Sequence, residues 1–174
     1  MPQNLELKAR VSSLSEALHI AHRLHAREKG TLQQRDIYYQ VPRGRLKLRI
    51  LNKRSAEMIY YTRPDKRGGR YSQYLVVPVK NAALTNVLCS SAFGQKVIVT
   101  KKRRLLIYKN SRIHLDQVRG LGIFIEFEVL VKNGKQQAQK LLKKLCKEFA
   151  IIQTGIIGDS YSDMLIRKRG RLKK

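Results

Sequence analysis

Apolar and polar residues alternate along much of the chain with a period of two, which predicts β-strands. In residues 4–11 the odd positions are apolar, whereas Glu6, Lys8 and Arg10 occupy even positions. Similar patterns predict seven further strands at about 35–41, 44–50, 56–63, 70–79, 97–108, 111–118 and 123–131. Short connections that contain Gly, Pro or Asn separate the strands, so we expect an antiparallel barrel or sandwich.

Apolar residues at helical spacing interrupt these strands at four places. The first predicted helix covers about 14–29, with a capping box formed by Ser13 and Glu16 and a stop at Gly30. The other three are predicted at about 82–92, 135–149 and 160–166. Strands and helices that mix without a regular βαβ rhythm indicate an α+β fold.

The balance of charge is the most unusual feature of the composition. The 174 residues include 37 Lys and Arg but only 12 Asp and Glu, which gives a net charge of +25. Because 43% of the residues are apolar, the chain can form a core, unlike a disordered polybasic segment. A folded protein with this charge attracts polyanions, so the expected partners are nucleotides, polyphosphate, nucleic acid or an anionic membrane surface, with an acidic protein as an alternative.

Several classes of protein are excluded by the sequence. No apolar run approaches the ~20 residues of a membrane-spanning helix, and the N-terminus lacks the layout of a secretory signal. We therefore expect a cytoplasmic protein, or a nuclear one in a eukaryote. Cys89 and Cys146 lack CxxC spacing and are expected to be reduced thiols. One domain is predicted at 1–166, followed by a flexible basic tail at 167–174, and the oligomeric state is left open.

The polar faces of the predicted strands carry charge rather than neutral residues. Glu126 and Glu128 share one strand face, and Asp116 shares another with His114. Basic pairs two residues apart recur, and they are Lys8/Arg10, Lys47/Arg49 and Lys101/Arg103. If these faces line a barrel, the carboxylates suit a hard divalent cation and the cations suit phosphate oxygens. The alternative is that they are solvated sheet faces.

A series of motifs, spread over residues 3–166, resembles the CYTH family of class IV adenylyl cyclases and thiamine triphosphatases. The motifs are Asn4 to Arg10 (NLELKAR), Asp36 to Tyr39 (DIYY), Gly44 to Arg49 (GRLKLR), Ile59 to Arg63 (IYYTR), Lys101 to Arg103 (KKR), Arg112 to Asp116 (RIHLD), Gly120 to Glu128 (GLGIFIEFE) and Ser160 to Leu165 (SYSDML). They follow the family's order.

The resemblance implies a closed tunnel of eight antiparallel strands that binds a triphosphate together with Mg²⁺ or Mn²⁺. By the same resemblance, the metal-binding residues are Glu6, Asp116, Glu126 and Glu128. The phosphate-binding residues are Lys8, Arg10, Lys47, Arg49, Arg63, Lys101 and Arg103. Most of the positive charge then lies outside the tunnel.

One position departs from the family's Glu-x-Glu-x-Lys signature, because Asn4 stands at the first Glu. An amide oxygen can ligate a cation but brings no charge, so we expect weaker metal binding. The departure favours hydrolysis of a small triphosphate over cyclisation of ATP to cyclic AMP, and it leaves open a protein that binds RNA or another polyanion with little or no catalysis.

Three histidines on the first predicted helix could be interpreted as a metal site. His19, His22 and His25 follow each other at intervals of three residues on the first predicted helix. Three residues advance a helix by about 300°, so the side chains drift around its surface. A solvated helix face is the better interpretation.

Overall fold

Eight antiparallel strands form a closed barrel in the order β1-β5-β4-β3-β2-β6-β7-β8. The structure is a computed structural model that describes residues 3–63, 68–132 and 134–171. The strands are β1 (Gln3–Arg10), β2 (Arg27–Tyr39), β3 (Arg45–Leu51), β4 (Ser55–Thr62), β5 (Arg70–Val79), β6 (Gln95–Tyr108), β7 (Ser111–Val118) and β8 (Gly122–Leu130). The helices are α1 (Leu14–Arg23), α2 (Ala82–Phe93), α3 (Lys135–Glu148) and α4 (Tyr161–Arg171). The predicted fold class, an α+β protein with a closed eight-stranded barrel, is confirmed.

The two faces of the barrel wall have opposite character. Along β1, Glu6 and Lys8 line the interior of the barrel, whereas Leu5 and Leu7 pack outside it against residues of α1 and α3. The same alternation on β8 sends Phe127 outward. The largest hydrophobic core therefore lies between the outer wall and the helices, and the interior is left to polar side chains.

Helix α1 is shorter than predicted. Ser13 does cap it, because its hydroxyl accepts a hydrogen bond from the backbone N–H of Glu16 at 3.1 Å. The helix nevertheless ends at Arg23 rather than at 29, in a Schellman motif with His25 in the left-handed conformation (φ +56°). Residues 27–29 belong to β2 instead, and Gly30 (φ +113°) lies at an irregularity of its pairing with β6.

The remaining helices occupy different parts of the outer surface. Helix α2 packs on β2 and β3, α3 on β1 and β8, and α4 on β6. Helix α4 continues to Arg171, so the first part of the predicted tail at 167–174 is helical, whereas residues 172–174 lie outside the described part of the chain. Among the described residues, no helix is long and apolar enough to cross a membrane. Cys89 and Cys146 are free thiols, as predicted.

Candidate functional site

The barrel encloses a cavity of about 370 Å³. Of the eleven residues predicted to bind metal or phosphate, nine line it, namely Glu6, Lys8, Lys47, Arg49, Arg63, Lys101, Arg103, Glu126 and Glu128. Eight of them lie on the four strands β1, β3, β6 and β8, each of which turns its even- or odd-numbered polar set inward, and Arg63 directly follows β4. Arg10 and Asp116 are the two that do not line the cavity.

Carboxylates and one imidazole form a cluster on one wall. His114, Glu126 and Glu128 each offer a ligand atom, and these atoms lie within 4.8 Å of one another. Glu6 stands directly opposite Glu128 in the β1–β8 register. Burial, together with the negative charges of Glu128 and Glu126, raises the pKa of Glu6. A cation placed among these groups would relieve their mutual repulsion.

Two buried polar atoms at this wall lack a hydrogen-bond partner among the described residues. They are Nδ1 of His114 and the side-chain oxygen Oδ1 of Asn4. The nearest carboxylate oxygens to Nδ1 are at 3.7 Å on Glu128 and 3.8 Å on Glu126, beyond hydrogen-bond distance. Because unpaired buried polar atoms are costly, both atoms point to a ligand of the lumen. The signal for His114 in the sequence is its position two residues from Asp116 on the polar face of β7.

Asp116 lies behind Arg103 in the barrel wall. Arg103 donates from Nε to Oδ1 at 2.7 Å and from Nη2 to Oδ2 at 2.6 Å, and the Tyr161 hydroxyl donates to Oδ2 at 2.9 Å. Burial opposes ionisation of Asp116, but Arg103 and Lys101 lower its pKa to about 2. Both oxygens are thus engaged in holding Arg103, which also donates to Glu126 at 2.8 Å. This placement suits a positioning carboxylate.

Arg10 lies at the end of β1, away from the cavity. Its guanidinium donates to the backbone oxygen of Leu121 at 3.0 Å and lies 4.8 Å from the centre of the Phe124 ring. The structure therefore does not bring Arg10 together with the other predicted phosphate-binding residues.

A second buried carboxylate, Asp36, was not predicted as part of the site. Lys47 donates to it at 3.0 Å, Arg49 at 3.2 Å and Gln34 at 2.8 Å. Burial opposes ionisation, but Lys47 and Arg49 hold the pKa of Asp36 far below its usual range. The available signal was the alternation of Gln34 and Asp36 with Ile37 and its apolar neighbours on β2, which places Asp36 on the polar face of the strand.

The buried lysines are poised to change charge when an anion binds. Burial and neighbouring cations lower the pKa of Lys47 to about 7, and burial lowers that of Lys8 to about 8 even though Glu126 opposes the shift. The pKa of Lys101 is lowered by burial and by Arg103. An anion beside these ammonium groups would raise their pKa values again and restore their full charge.

The two ends of the cavity differ. At the end where β1 stops, Ser160 and Tyr161 line the base and are both buried. Nζ of Lys8 lies 3.9 Å from the centre of the Tyr161 ring. At the opposite end, which we call the mouth, half-buried Glu57 and Arg112 line the opening. Exposed basic residues flank the strand ends around the mouth, and they are Arg27, Lys29, Lys53, Arg54, Lys80, Lys109, Lys132 and Lys135.

Solved structures of the same fold come from several organisms. Protein PH1012 of Pyrococcus horikoshii superposes with a TM-score of 0.84 at 21% identity, over 92% of this chain and 98% of that chain. A candidate adenylate cyclase of Vibrio parahaemolyticus gives 0.77 at 17% identity, over 93% of this chain and 97% of that chain. A Hippeastrum protein described as having a dominant triphosphatase activity gives 0.65 at 14% identity, over 96% of both chains.

Sequence comparison gives a family for the chain. No curated protein sequence matches it. The family model of the CYTH domain, however, matches residues 2–154, which includes every strand of the barrel. The lumen residues described above lie within this match, except for Ser160 and Tyr161 at the base. The chain belongs to the CYTH domain family.

Proposed function

We propose that the protein hydrolyses a compound with a free triphosphate end, which enters the lumen from the mouth, with the help of a divalent metal ion. The observation that carries the proposal is the pairing, within one cavity, of a buried cationic wall with a cluster of carboxylate and imidazole ligands. Neither half alone would indicate this chemistry, since buried cations can be structural and acidic clusters are common.

The cationic wall supports phosphate binding. Lys8, Lys47, Lys101 and Arg103 are each at most 6% exposed and all line the cavity. Charge-assisted hydrogen bonds to phosphate oxygens are among the strongest that proteins make. Asp36 and Asp116 hold Lys47, Lys101 and Arg103 in place from behind, so few side chains must be ordered when the substrate binds.

The neighbouring cluster of carboxylates and imidazole fits a metal ion. The donors are the oxygens of Glu6, Glu126 and Glu128, the free Nδ1 of His114 and the free Oδ1 of Asn4. Carboxylate and amide oxygens suit Mg²⁺ and Mn²⁺, and the imidazole favours Mn²⁺ of the two. A bound divalent cation would neutralise charge on the phosphate oxygens and so assist displacement at phosphorus. Lys8 and Arg103, which both contact Glu126, lie where the two walls meet.

The size of the cavity favours hydrolysis over cyclisation. At about 370 Å³, it is at the small end of ligand pockets, so a triphosphate would fill it and any nucleoside would remain at the mouth. Cyclisation to cyclic AMP would require the ribose to be held in a fixed position beside the innermost bonds of the triphosphate. The neutral Asn4, at the first position of the Glu-x-Glu-x-Lys signature, also favours hydrolysis over cyclisation.

A panel of substrates tests the proposal. Purified protein is incubated with Mg²⁺ or Mn²⁺ and inorganic triphosphate, thiamine triphosphate, ATP or an RNA with a 5′-triphosphate, and products are separated by chromatography. Phosphate release is expected for at least one substrate, and Glu128→Gln should reduce it strongly. Glu148→Gln, which changes an exposed carboxylate on α3, should leave it unchanged. No phosphate from any substrate would refute the proposal, and cyclic AMP from ATP would support the cyclase alternative.

The basic residues around the mouth favour a second candidate, binding of RNA or polyphosphate by the same end of the barrel. Lys53 and Arg54 in the β3–β4 turn are both exposed. If both contact single-stranded RNA, changing them to Glu should weaken binding and reduce the slope of log affinity against log salt by roughly 1.4. Arg169→Glu, on α4 at the other end, should leave the slope unchanged. Affinity that does not vary with salt would reject this candidate.

A further inference from the structure

Helix α2 presents its apolar side to solvent. The sequence places Leu84, Val87 and Leu88 on one side of this helix, and in the structure that side is exposed, at 65%, 60% and 66%. The side that faces the barrel includes Asn86, which accepts hydrogen bonds from the hydroxyl of Tyr39 at 3.0 Å and from that of Ser90 at 3.4 Å. An ordinary surface helix has the reverse arrangement.

Further exposed apolar residues lie on β5, the neighbour of β4. Met58 of β4 and Ala82 of α2 pack against the same core cluster, and Met58 pairs with Val77 of β5. Val77 is 59% exposed and Leu75, two residues earlier on the same outer face, is 49% exposed. Single exposed apolar residues are normal, but three on one side of one helix, with others on the outer face of β5, indicate an interaction site.

This surface is also free of charge. Between Tyr71 and Gln95 the only charged residue is Lys80, although 28% of the whole chain is charged. Two molecules that each carry +25 repel each other wherever their basic surfaces face. The stretch from β5 through α2 is where a second copy could approach while bringing few like charges together, namely Lys80 and Lys96 at the two ends of the helix, and an uncharged apolar face offers nothing specific to an acidic partner.

The pattern along α2 is self-complementary. In an antiparallel pair of α2 helices related by a two-fold axis between Val87 and Leu88, these two residues face each other across the axis. Leu84 then faces Ser91, so a large side chain meets a small one. Lys80 lies about 11 Å along the axis from the centre at 1.5 Å per residue. The two Lys80 side chains are therefore separated by more than two Debye lengths at physiological salt.

We propose that the protein forms a homodimer through α2, with the two helices antiparallel about this axis and the outer faces of β4 and β5 at the edges of the interface. The interface is isologous, as in most homodimers. It is on the outer wall and leaves the mouth of the barrel open, so it is independent of the proposed hydrolysis.

Sedimentation velocity over roughly 1 to 100 μM, the range in which a dimer of modest affinity dissociates, tests the proposal. The wild type should sediment as a dimer at the upper end. Leu88→Lys places like charges near the axis and should weaken association by about 100-fold or more. Ile152→Lys is the matched control, because Ile152 is 68% exposed but lies beyond α3, and it should dimerise normally. Circular dichroism checks that both variants remain folded.

Two variants of opposite charge at position 88 test whether the partner on α2 is a second copy of this chain. Leu88→Glu and Leu88→Lys should each be monomeric alone, and an equimolar mixture should form a heterodimer because opposite charges then meet near the axis. A wild type that stays monomeric at 100 μM would overturn the proposal. So would a dimer that tolerates Leu88→Lys, or a mixture of the two variants that stays monomeric.

Discussion

A substitution at Asp116 tests whether this buried carboxylate binds the metal ion or holds Arg103 in position. The sequence predicts it as a metal ligand, whereas the structure places both its oxygens against Arg103 and Tyr161. Asp116→Asn keeps the shape of the side chain and removes its charge. We expect this variant to be less stable and to bind metal as well as the wild type does.

The size of the stability loss follows from the pKa of Asp116. The pKa is about 2 in the folded protein against an ordinary value of 3.8, and one unit corresponds to 1.36 kcal/mol, so the ionised form contributes about 2.4 kcal/mol. Removing one partner of a buried ion pair costs about 3–5 kcal/mol in other proteins. At roughly 2–4 °C per kcal/mol for a chain of this length, Tm should fall by about 5–20 °C.

Thermal unfolding and a Mn²⁺ titration followed by electron paramagnetic resonance measure the two effects. Asp159→Asn is the control, because Asp159 is a partly exposed carboxylate paired with Arg167, and it should change stability by less than about 0.5 kcal/mol.

The direction in which the stability changes with pH is a further check. Because the pKa of Asp116 is depressed, its contribution should be present above about pH 4 and lost as the pH falls towards 2. Unchanged stability with Mn²⁺ affinity reduced tenfold or more would show that Asp116 is a ligand.

Three further predictions concern other parts of the molecule. His114→Ala should weaken Mn²⁺ binding measurably while leaving the binding of metal-free inorganic triphosphate within about threefold, since it removes one metal donor and no cation. Lys47, whose pKa is about 7, should take up a proton when inorganic triphosphate binds at pH 8–9, so wild-type affinity should fall as the pH rises. Calorimetry in two buffers measures the number of protons taken up on binding, and the wild type should take up to about one more proton than the Lys47→Arg variant does. Equal proton uptake by the two proteins would show that Lys47 does not change its charge. Gly44→Ala should destabilise the protein by about 1–2 kcal/mol, because Gly44 has φ +67° and an added Cβ would lie 2.7 Å from the Tyr60 hydroxyl. Gly170→Ala, on a helix with open space around it, should show no such loss in thermal unfolding.

The strands could be predicted from the sequence because period-two alternation is a local property. Each of the eight was anticipated, and so was the clustering of Glu126 and Glu128 on one face. Alternation cannot tell which face of a closed wall points inward, however, since that depends on pairing between distant strands. The resemblance to CYTH proteins supplied this information, and the barrel confirms the fold that it implied.

The parts that were wrong or missed depend on contacts between segments far apart in the chain. Residues 27–29 suit a helix locally, but pairing of β2 with β6 outweighs that preference. Arg10 shares the alternation of Lys8, yet β1 passes beyond the covered base before reaching it. The inward role of Asp36 and the outward face of α2 were likewise set by packing that no local pattern reports.

The pairing of β1 with β8 has a consequence for the order of events during synthesis. The wall closes only when residues 122–130 meet residues 3–10, so three quarters of the chain must leave the ribosome before the barrel exists. Leu5 and Leu7 also require α3, which follows β8, to cover them. Contacts this distant in sequence form slowly. The seam between β1 and β8 is therefore the last part of the wall to form, and a nascent chain that stalls before residue 122 would expose apolar strand faces to chaperones.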